Sequence, residues 1–370
     1  MHKLTFYPLG NADCCLVDLD DGRKLLFDYA NIRNPEDNKD LRVDLAAALR
    51  DDLDAAGRDS FDVVAFTHAD DDHIHLASEF FHLEHAEKYQ GQGRIKIVDL
   101  WVPAAVILEE GLEDDARIIQ AEARHRLKLG RGVRVFSRPE RLGDWLKAQG
   151  ISLGSRQHLI TDAGGLVPGF LKGPDGVEFF VHSPFAAHSD GKTIDRNESC
   201  LVLHATFQYG VRDTKLFLGA DTTHDILTEI VQKTKRHKNV ERLLWDIFKL
   251  PHHCSYTTLG PEQGKEKTDP VPDVKWLFEQ GSNGAVIVST SWPIPGQDTE
   301  DNQPPHRQAA RYYRDLMSEK QGDFIVTMEH PTKTSPDKLI ITIDTDGARV
   351  KKQSTIGPAI ITSRPSPRAG

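Results

Sequence analysis

The chain contains little cysteine, with four residues among 370: Cys14, Cys15, Cys200 and Cys254. They form neither the paired spacing of a zinc-binding motif nor a disulfide framework. This scarcity is typical of a protein that works in a reducing compartment. The opening stretch MHKLTFYPLG alternates in polarity and lacks the basic and apolar regions of a secretory signal, so we expect a cytoplasmic protein.

Long apolar runs and an excess of positive charge are also missing. No stretch approaches the roughly 20 apolar residues that cross a bilayer, so we expect no membrane association. Hydrophobic residues make up 38% of the chain and charged residues 28%, as in soluble globular proteins. The formal net charge of −10 argues against broad electrostatic binding to nucleic acids, although it is compatible with a local basic groove.

Short β-prone runs alternate with helical segments along the chain. KLTFYPL, CCLVDLD and KLLFDYA read as strands, leucines at helical spacing follow them, and DVVAFTH reads as a buried strand. The second half repeats this pattern, with VEFFVHSP, SCLVLHATF and TKLFLGAD as strands and THDILTEIVQKTKRH as a helix. We therefore predict an α/β fold in which helices cover the outside of two sheets, a four-layer αββα sandwich.

The domain boundaries follow from composition. Residues 1–350 read as one domain, and residues 351–370 have no periodicity and read as a C-terminal tail. Residues 104–165 are charged and helical in character, which predicts a mostly helical insertion at the edge of the site. HLASEFFHLEHAEKY, residues 75–89, is predicted as a single helix.

The stretch FTHADDDHIH combines metal-ligand side chains directly after an apolar strand. His68, Asp70, Asp72 and His73 have the spacing H-x-D-x-D-H, which lets one loop turn several imidazoles and carboxylates toward a common point. Asp71 lies between two of these positions and is expected to face away. The alternative interpretation is an acidic surface patch, which is common in soluble proteins.

Three further loops carry ligand-type residues after predicted strands. LGAD ends in Asp221, KLPHHCS contains Lys249, His252 and His253, and PPHRQ contains His306 at a helix start. A lone histidine before a helix is often a cap, and a lysine is often solvated, so each loop alone is weak evidence. Four such loops at strand ends indicate a common site, because α/β folds place their sites there.

These motifs resemble the metallo-β-lactamase superfamily, and within it the soluble domain of the DNA-uptake protein ComEC. FTHADDDH is similar to the THxDxDH of that branch, DIFKLPHHCS to its LKVPHHGS, and NESCLVLHATF with KLFLGAD to its SLVL and LTGD passages. The resemblance spans residues 5–345, apart from the insertion. It implies roles for Asp13, His68, Asp70, Asp72, His73, Asn197, Ser199, Asp221, Lys249, His252, His253 and Ser255.

The resemblance implies two divalent cations, with Asp221 as the bridge between them. His68 and Asp70 would hold one cation and Asp72 with His73 the other, completed by one of His252 and His253. Most members of the superfamily have histidine where this chain has Asp70. A carboxylate there favours harder ions, so we expect Mn²⁺ or Zn²⁺, with manganese preferred. Cys254 replaces the usual glycine after the paired histidines.

The same resemblance suggests further roles near the cations. His182 in VHSP lies in the region where the superfamily often has another histidine ligand. Asp72 is expected to orient the attacking water, and Lys249 and His306 to face the negative charge on the substrate. SWPIPGQDTEDNQPPH, which is long and polar, reads as a flap over the site.

Three functions are compatible with this pattern. The first is a metal-dependent phosphodiesterase or nuclease that generates hydroxide at a dinuclear site, with nucleic acid or another phosphodiester as substrate. The second is a hydrolase of a small lactone or thioester on the same scaffold. The third is a non-catalytic member that binds a ligand or a protein partner. Fold alone does not separate them, because one scaffold hosts many activities.

Overall fold

The computed structural model describes residues 1–91, 93–191, 193–298 and 302–351. Most strands of a nine-stranded sheet come from the first third of the chain, and the last two strands of the chain lie at one edge of it. Its members are β1 His2–Phe6, β2 Cys15–Asp18, β3 Lys24–Phe27, β4 Ser60–Ala65, β5 Lys96–Pro103, β6 Val133–Phe136, β7 Ile160–Thr161, β16 Leu339–Asp344 and β17 Gly347–Val350. Their order is β17-β16-β1-β2-β3-β4-β5-β6-β7, and β3 to β7 are parallel.

A second sheet of six strands comes from the second half. Its members are β8 Val177–Ser183, β9 Val202–Tyr209, β10 Arg212–Leu218, β11 Trp245–Lys249, β12 Gly281–Ser289 and β13 Asp323–Val326. The order is β13-β12-β11-β10-β9-β8, and β10 to β13 are parallel. Two short strands, β14 Pro331–Thr332 and β15 Ser335–Pro336, pair separately.

Eleven α-helices lie within the described residues. They are α1 Leu45–Ala55, α2 Asp71–Ile74, α3 Ala77–Phe80, α4 Ala104–Leu108, α5 Asp114–Leu129, α6 Glu140–Ala148, α7 Lys172–Asp175, α8 Ala186–Ser189, α9 His224–Arg236, α10 Pro272–Glu279 and α11 Arg307–Lys320. None of the helices in this part of the chain is long and apolar enough to cross a membrane.

Alternation along the strands divides the apolar side chains among three cores. Leu25 and Leu216 belong to the core between the two sheets. The next residues along the chain, Leu26 and Phe217, face outward into separate cores. Helices α1, α5 and α6 cover the first sheet, and α9, α10 and α11 cover the second. The predicted four-layer αββα sandwich is therefore confirmed, with both faces of each sheet buried.

Residues 104–165, predicted as a mostly helical insertion, contain helices α4, α5 and α6 and also extend the first sheet. Strands β6 and β7 lie within this segment and pair in parallel beyond β5. Ile119 of α5 and Leu146 of α6 are fully buried in the same core as the helix that precedes β4. The segment is therefore part of the main sandwich. The predicted tail lies outside the described residues apart from Lys351.

The helix predicted for residues 75–89 is wrong, because only a short α-helical turn, α3, and a separate 3-10 turn, Glu87–Tyr89, form there. Leu76 has a left-handed backbone with φ 58°, which separates α2 from α3. Phe81 is already extended and forms a parallel bridge with Ile95. The apolar spacing of this stretch instead buries Phe80, Phe81 and Leu83 under the loop.

The carboxyl ends of β3, β4, β10, β11 and β12 lie at the same edge of the two sheets. The backbone links the sheets there, since Leu201 N–H donates to the Thr67 carbonyl over 2.8 Å. The loops that leave these strands carry the predicted ligand residues. Parallel strands thus bring distant parts of the sequence to one place, as α/β folds commonly do.

Candidate metal centre

The loop after β4 delivers the acidic motif through one short helix. Thr67 is fixed at the strand end, where its N–H donates to Asp28 Oδ1 over 2.7 Å. Helix α2 begins at Asp71, and the His73 N–H donates to the Asp70 carbonyl over 3.0 Å. This single turn places Asp72 and His73 at the edge between the sheets, while Asp71 faces solvent with its side chain 75% exposed.

Asp72, His73, Asp221 and His253 form a compact cluster. One potential ligand atom from each lies within 4.8 Å of the other three. His73 Nε2 is 3.2 Å from Asp221 Oδ1, and His253 Nε2 is 2.9 Å from Asp72 Oδ2 and 3.6 Å from Asp221 Oδ2. His73, Asp221 and His253 are buried, whereas Asp72 is partly open to solvent. We call these four residues the metal cluster.

The far side of each imidazole is held by an oxygen. His73 Nδ1 lies 2.9 Å from Asp28 Oδ2, and His253 Nδ1 lies 2.7 Å from the Thr290 carbonyl oxygen. A carbonyl and a carboxylate accept hydrogen bonds, so each Nδ1 carries the proton and donates it. In the neutral rings, each Nε2 lone pair then faces the metal cluster.

This arrangement fits a divalent cation. Two nitrogen lone pairs and two carboxylates face one another, and His73 Nε2 is buried without a hydrogen-bond partner. Burial alone lowers the pKa of His73, but the surrounding carboxylates, Asp221 foremost, raise it well above its ordinary value. The cluster therefore attracts positive charge. Mixed imidazole and carboxylate donors of this kind suit Zn²⁺ and Mn²⁺.

His68 and Asp70 lie beside the metal cluster as a second donor pair. The His68 ring centroid is 4.0 Å from that of His73, and His68 Nε2 is 3.2 Å from Asp70 Oδ2. His68 Nδ1 contacts the Thr67 hydroxyl at 3.1 Å, while its Nε2 is buried without a hydrogen-bond partner. The other oxygen of Asp70 accepts from Arg196. This pair places one nitrogen and one oxygen 3.2 Å apart beside the metal cluster.

Between the two adjacent histidines, the structure brings His253 into the metal cluster. His252, His253 and Cys254 have consecutive positive φ angles of 48°, 51° and 67°. This left-handed run turns the His253 ring inward and buries Cys254. His252 donates its backbone N–H to Asp221 Oδ1 over 3.2 Å, and its ring lies outside the cluster.

Lys249, predicted to contact substrate, lies in a buried ion pair. Lys249 is 5% exposed, and its ammonium forms an ion pair with Asp13 and donates to the Ala220 carbonyl over 3.3 Å. Asp13 also accepts from the Thr290 hydroxyl. Burial alone lowers the pKa of Lys249, but the carboxylates of Asp13 and Asp221 raise it. The Lys249–Asp13 pair thus supports the loop that carries Asp221.

His306, predicted to face the substrate, is hydrogen-bonded between loops. His306 precedes α11, and its Nδ1 accepts from the Tyr256 N–H over 3.3 Å. Its Nε2 lies 3.1 Å from the Asn302 carbonyl, to which it donates. Both ring nitrogens of His306 therefore have backbone partners, and the side chain links the loops that contain Tyr256 and Asn302. Part of the predicted flap, residues 299–301, lies outside the described residues.

His182, the further candidate ligand, points away from the metal cluster. Its Nε2 lies 2.9 Å from the Arg242 carbonyl, and its ring stacks on Phe217 at a centroid distance of 5.3 Å. Phe217 belongs to the outer core of the second sheet. Burial lowers the pKa of His182 to about 4, so the ring is neutral. The outward direction of the strand side chain therefore overrides the sequence position.

The serines and asparagine implied by the resemblance support loops. Ser199 Oγ donates to the His188 carbonyl over 3.1 Å, and Ser255 Oγ contacts Thr257 Oγ1 at 2.9 Å. The Asn197 carbonyl is 3.1 Å from Cys200 Sγ. None of these contacts includes a residue of the metal cluster.

Sequence reasoning missed Asp28, Thr290 and Arg196. Asp28 directly follows the apolar residues of KLLFDYA, so its place after a strand was a signal of the same kind as for Asp221. Thr290 acts through its backbone carbonyl, which side-chain patterns do not reveal. Arg196 precedes the NESCLVL run and reaches Asp70 only through the fold.

No protein-family model matches the chain, and no curated protein matches it in sequence. A candidate metal-dependent hydrolase from Parabacteroides distasonis overlaps at a TM-score of 0.34 and 10% identity, covering 87% of this chain and 92% of that one. A diphosphatase of the PhnP family gives 0.29 and 11%, covering 68% and 74%. Unliganded yeast PDE1 gives 0.41 and 10%, covering 88% and 97%. Such loose overlaps carry no argument about function, which depends here on the geometry of the site.

Proposed function

We propose that this protein is a metal-dependent hydrolase and that its substrates are phosphodiesters, nucleic acids among them. The observation that carries the proposal is the metal cluster, in which four ligand atoms from three loops lie within 4.8 Å of one another. Such convergence of buried histidines and carboxylates is costly unless a cation compensates for it. The proposal therefore begins with metal binding.

The residues divide into two donor groups. Asp72, His73, Asp221 and His253 would hold the first ion, and His68 with Asp70 would contribute to a second, with Asp221 as the shared carboxylate. When bound, such ions supply Lewis acidity and lower the pKa of a coordinated water toward neutrality. The oxygen-rich donor set favours Mn²⁺ or Zn²⁺, with manganese preferred.

The side chains around the ions set orientation and access. Asp28 and the Thr290 carbonyl hold the tautomers of His73 and His253, so both rings present Nε2 without rearrangement. Asp72 is the open member of the metal cluster, with its side chain 35% exposed. Its carboxylate is therefore placed to accept a hydrogen bond from an entering water and to orient it.

The preference for phosphodiesters follows from the charge pattern and from the family resemblance. Asp70, Asp72 and Asp221 make the site richer in oxygen donors than a site made of histidines, and such sites suit the hard ions that bind phosphate oxygens. Arg196, which contacts Asp70, also lies at the side of the site. A neutral lactone or thioester would gain less from these groups.

One assay series tests the proposal. The protein is loaded with Mn²⁺, Zn²⁺ or Mg²⁺ and incubated with bis-p-nitrophenyl phosphate, single- and double-stranded DNA, RNA, a simple lactone and a thioester. We expect metal-dependent cleavage of phosphodiesters that EDTA abolishes. Turnover of the lactone or thioester alone would overturn the choice of substrate, and tight metal binding without any turnover would favour the non-catalytic alternative.

Asp71 and Asp72 provide a matched pair of variants for this assay. Both are aspartates of the same helical turn, but Asp71 faces solvent and binds His75, whereas Asp72 faces His253. We expect Asp72→Asn to lower the turnover at least a hundredfold and Asp71→Asn to leave it within about twofold, since only Asp72 joins the reacting centre. Equal losses would contradict the assignment of Asp72.

A further inference from the structure

Arg196 lies in the connection between β8 and β9, beside the metal centre. Its Nη1 donates to Asp70 Oδ1 over 2.5 Å, and the other oxygen of Asp70 is 3.2 Å from His68 Nε2. The guanidinium therefore contacts one candidate metal ligand, Asp70, directly and is one carboxylate away from another, His68. Its side chain is 32% exposed, so it is reachable from solvent.

Glu109 holds the guanidinium from the opposite side. Arg196 Nε is 2.9 and 3.0 Å from the two oxygens of Glu109, and Nη2 is 2.7 Å from Oε1. Glu109 follows α4, and its own side chain is 16% exposed. Anchored at two points by Asp70 and Glu109, the arginine is ordered before any ligand arrives, so binding to it costs little side-chain entropy.

The contacts to Asp70 and Glu109 use three of the five guanidinium N–H groups. Among the described residues, no group accepts a hydrogen bond from the other two. A planar fork with free N–H groups matches the oxygens of a phosphate. Because the Glu109 carboxylate offsets the positive charge of Arg196, the arginine would act on a ligand through directed hydrogen bonds more than through long-range electrostatic attraction.

The residue that sequence reasoning assigned to this task is not available for it. Lys249 is buried and held by Asp13 and the Ala220 carbonyl. Arg196 is therefore the candidate for contact with the negative charge of the substrate, the role predicted for Lys249. It lies on the side of the site where His68 and Asp70 lie.

We propose that Arg196 is a substrate-binding residue that donates hydrogen bonds to the non-bridging oxygens of a phosphodiester at the metal centre. This inference rests on the proposed function and narrows its substrate class to anionic phosphate esters. A neutral lactone or thioester has no pair of anionic oxygens for the guanidinium. The competing role for Arg196 is to position Asp70 as a metal ligand without touching substrate.

Isothermal titration of the Mn²⁺-loaded protein with inorganic phosphate tests the inference, together with the kinetics of bis-p-nitrophenyl phosphate cleavage and the metal content of each variant. We expect Arg196→Gln to weaken phosphate binding about tenfold and to raise KM by a similar factor, with kcat within about threefold, as for a lost hydrogen bond to a charged group. Arg196→Lys keeps the charge but not the fork, so we expect only partial recovery.

Arg58→Gln is the matched control. Arg58 is also a partly exposed arginine in an ion pair, with Asp62 at 2.6 Å, but it lies just before β4, at the edge opposite the metal centre. We expect it to bind phosphate as the wild type does. Melting temperatures of all variants show whether each is folded.

Three results would overturn the inference: no phosphate binding by the wild type, unchanged phosphate affinity in Arg196→Gln, or loss of metal from Arg196→Gln, which would assign it to positioning Asp70. Failure of the proposed function gives a different result. The wild type would then bind phosphate through Arg196 without cleaving any phosphodiester.

Discussion

His73 donates its Nδ1 proton to the Asp28 carboxylate across 2.9 Å, and both side chains are buried. This contact leaves His73 Nε2 facing Asp221. A carboxylate behind an imidazole fixes the orientation of the ring and makes the free nitrogen a stronger donor to a metal ion. Asp28 would therefore support metal binding at His73 from behind the imidazole ring.

We predict that Asp28→Asn weakens Mn²⁺ binding by about 10- to 100-fold, because the neutral amide no longer enhances the basicity of His73. Asn tolerates the left-handed backbone of position 28, where φ is 59°, so the loop should persist. Titration calorimetry gives the affinity. Asp99→Asn is the control, since Asp99 accepts from Trp101 Nε1 over 2.8 Å in another part of the sheet. Equal affinities in both variants would refute the role of Asp28.

Replacing each of the paired histidines in turn separates their roles. We predict that His253→Asn lowers the affinity for the first ion at least a hundredfold, because it removes one of four ligands. We expect His252→Asn to stay within about fivefold, because its ring lies outside the metal cluster. Asn suits the positive φ of both positions, 48° and 51°, so the two variants are well matched. Metal content and calorimetry decide between them, and the reverse order would contradict the structure.

The Lys249–Asp13 ion pair predicts a stability effect. Lys249→Met leaves the buried Asp13 carboxylate without its counter-ion, which costs about 3–5 kcal/mol of unfolding free energy in typical proteins. Urea unfolding in EDTA measures this loss without a contribution from metal. Adding Asp13→Asn to Lys249→Met removes the uncompensated charge, and we expect the double variant to be more stable than Lys249→Met. A loss below about 1 kcal/mol for Lys249→Met would argue that the lysine is free after all.

The stability of the metal-free protein should fall as the solution is acidified. Burial lowers the pKa of His182 to about 4 and that of His204 to about 3, and the neighbouring His182, followed by Arg242 and Lys215, adds to the lowering at His204. In the unfolded chain the two histidines titrate near pH 6.5, so below that pH the unfolded chain binds more protons at these positions than the folded protein does. The stabilising contribution is complete above pH 6.5 and is lost as the pH falls toward 4.

Each histidine should contribute a slope of roughly 1.4 kcal/mol per pH unit below pH 6.5. Urea unfolding in EDTA at a series of pH values gives the slope. His204→Gln can keep a hydrogen bond to the Leu244 carbonyl, which now lies 2.8 Å from Nε2, and it removes one titrating group. We expect a shallower slope for this variant. An unchanged slope would show that His204 does not titrate on unfolding.

The layers of the fold were predictable because each relies on a local pattern. Alternation at Leu25–Leu26 and Leu216–Phe217 divides inner from outer faces, and the helices show their own period. The helix proposed for residues 75–89 failed because apolar spacing cannot reveal the left-handed turn at Leu76. The strands inside residues 104–165 were missed because charge dominates their surroundings.

The site was predictable where ligand residues directly follow buried strands. Asp72, His73 and Asp221 come together because parallel strands end at one edge. The choice of His253 over His252 depends on a run of left-handed backbone that no residue pattern indicates. The ion pair between Lys249 and Asp13 could not be seen in the sequence, because the two residues lie 236 positions apart. Lys249 was therefore assigned to substrate. His182 lies on the outer face of β8, against Phe217, while its neighbour Val181 faces the core between the sheets.

The central claim is that Asp72, His73, Asp221 and His253 hold a divalent cation. A crystal structure of the Mn²⁺-loaded protein tests this claim most directly, with anomalous diffraction measured at an X-ray energy just above the manganese absorption edge. We predict an anomalous peak within bonding distance of the four side chains, with Asp28 still bound to His73. A peak coordinated by His252 in place of His253, or no peak between these four residues, would contradict it.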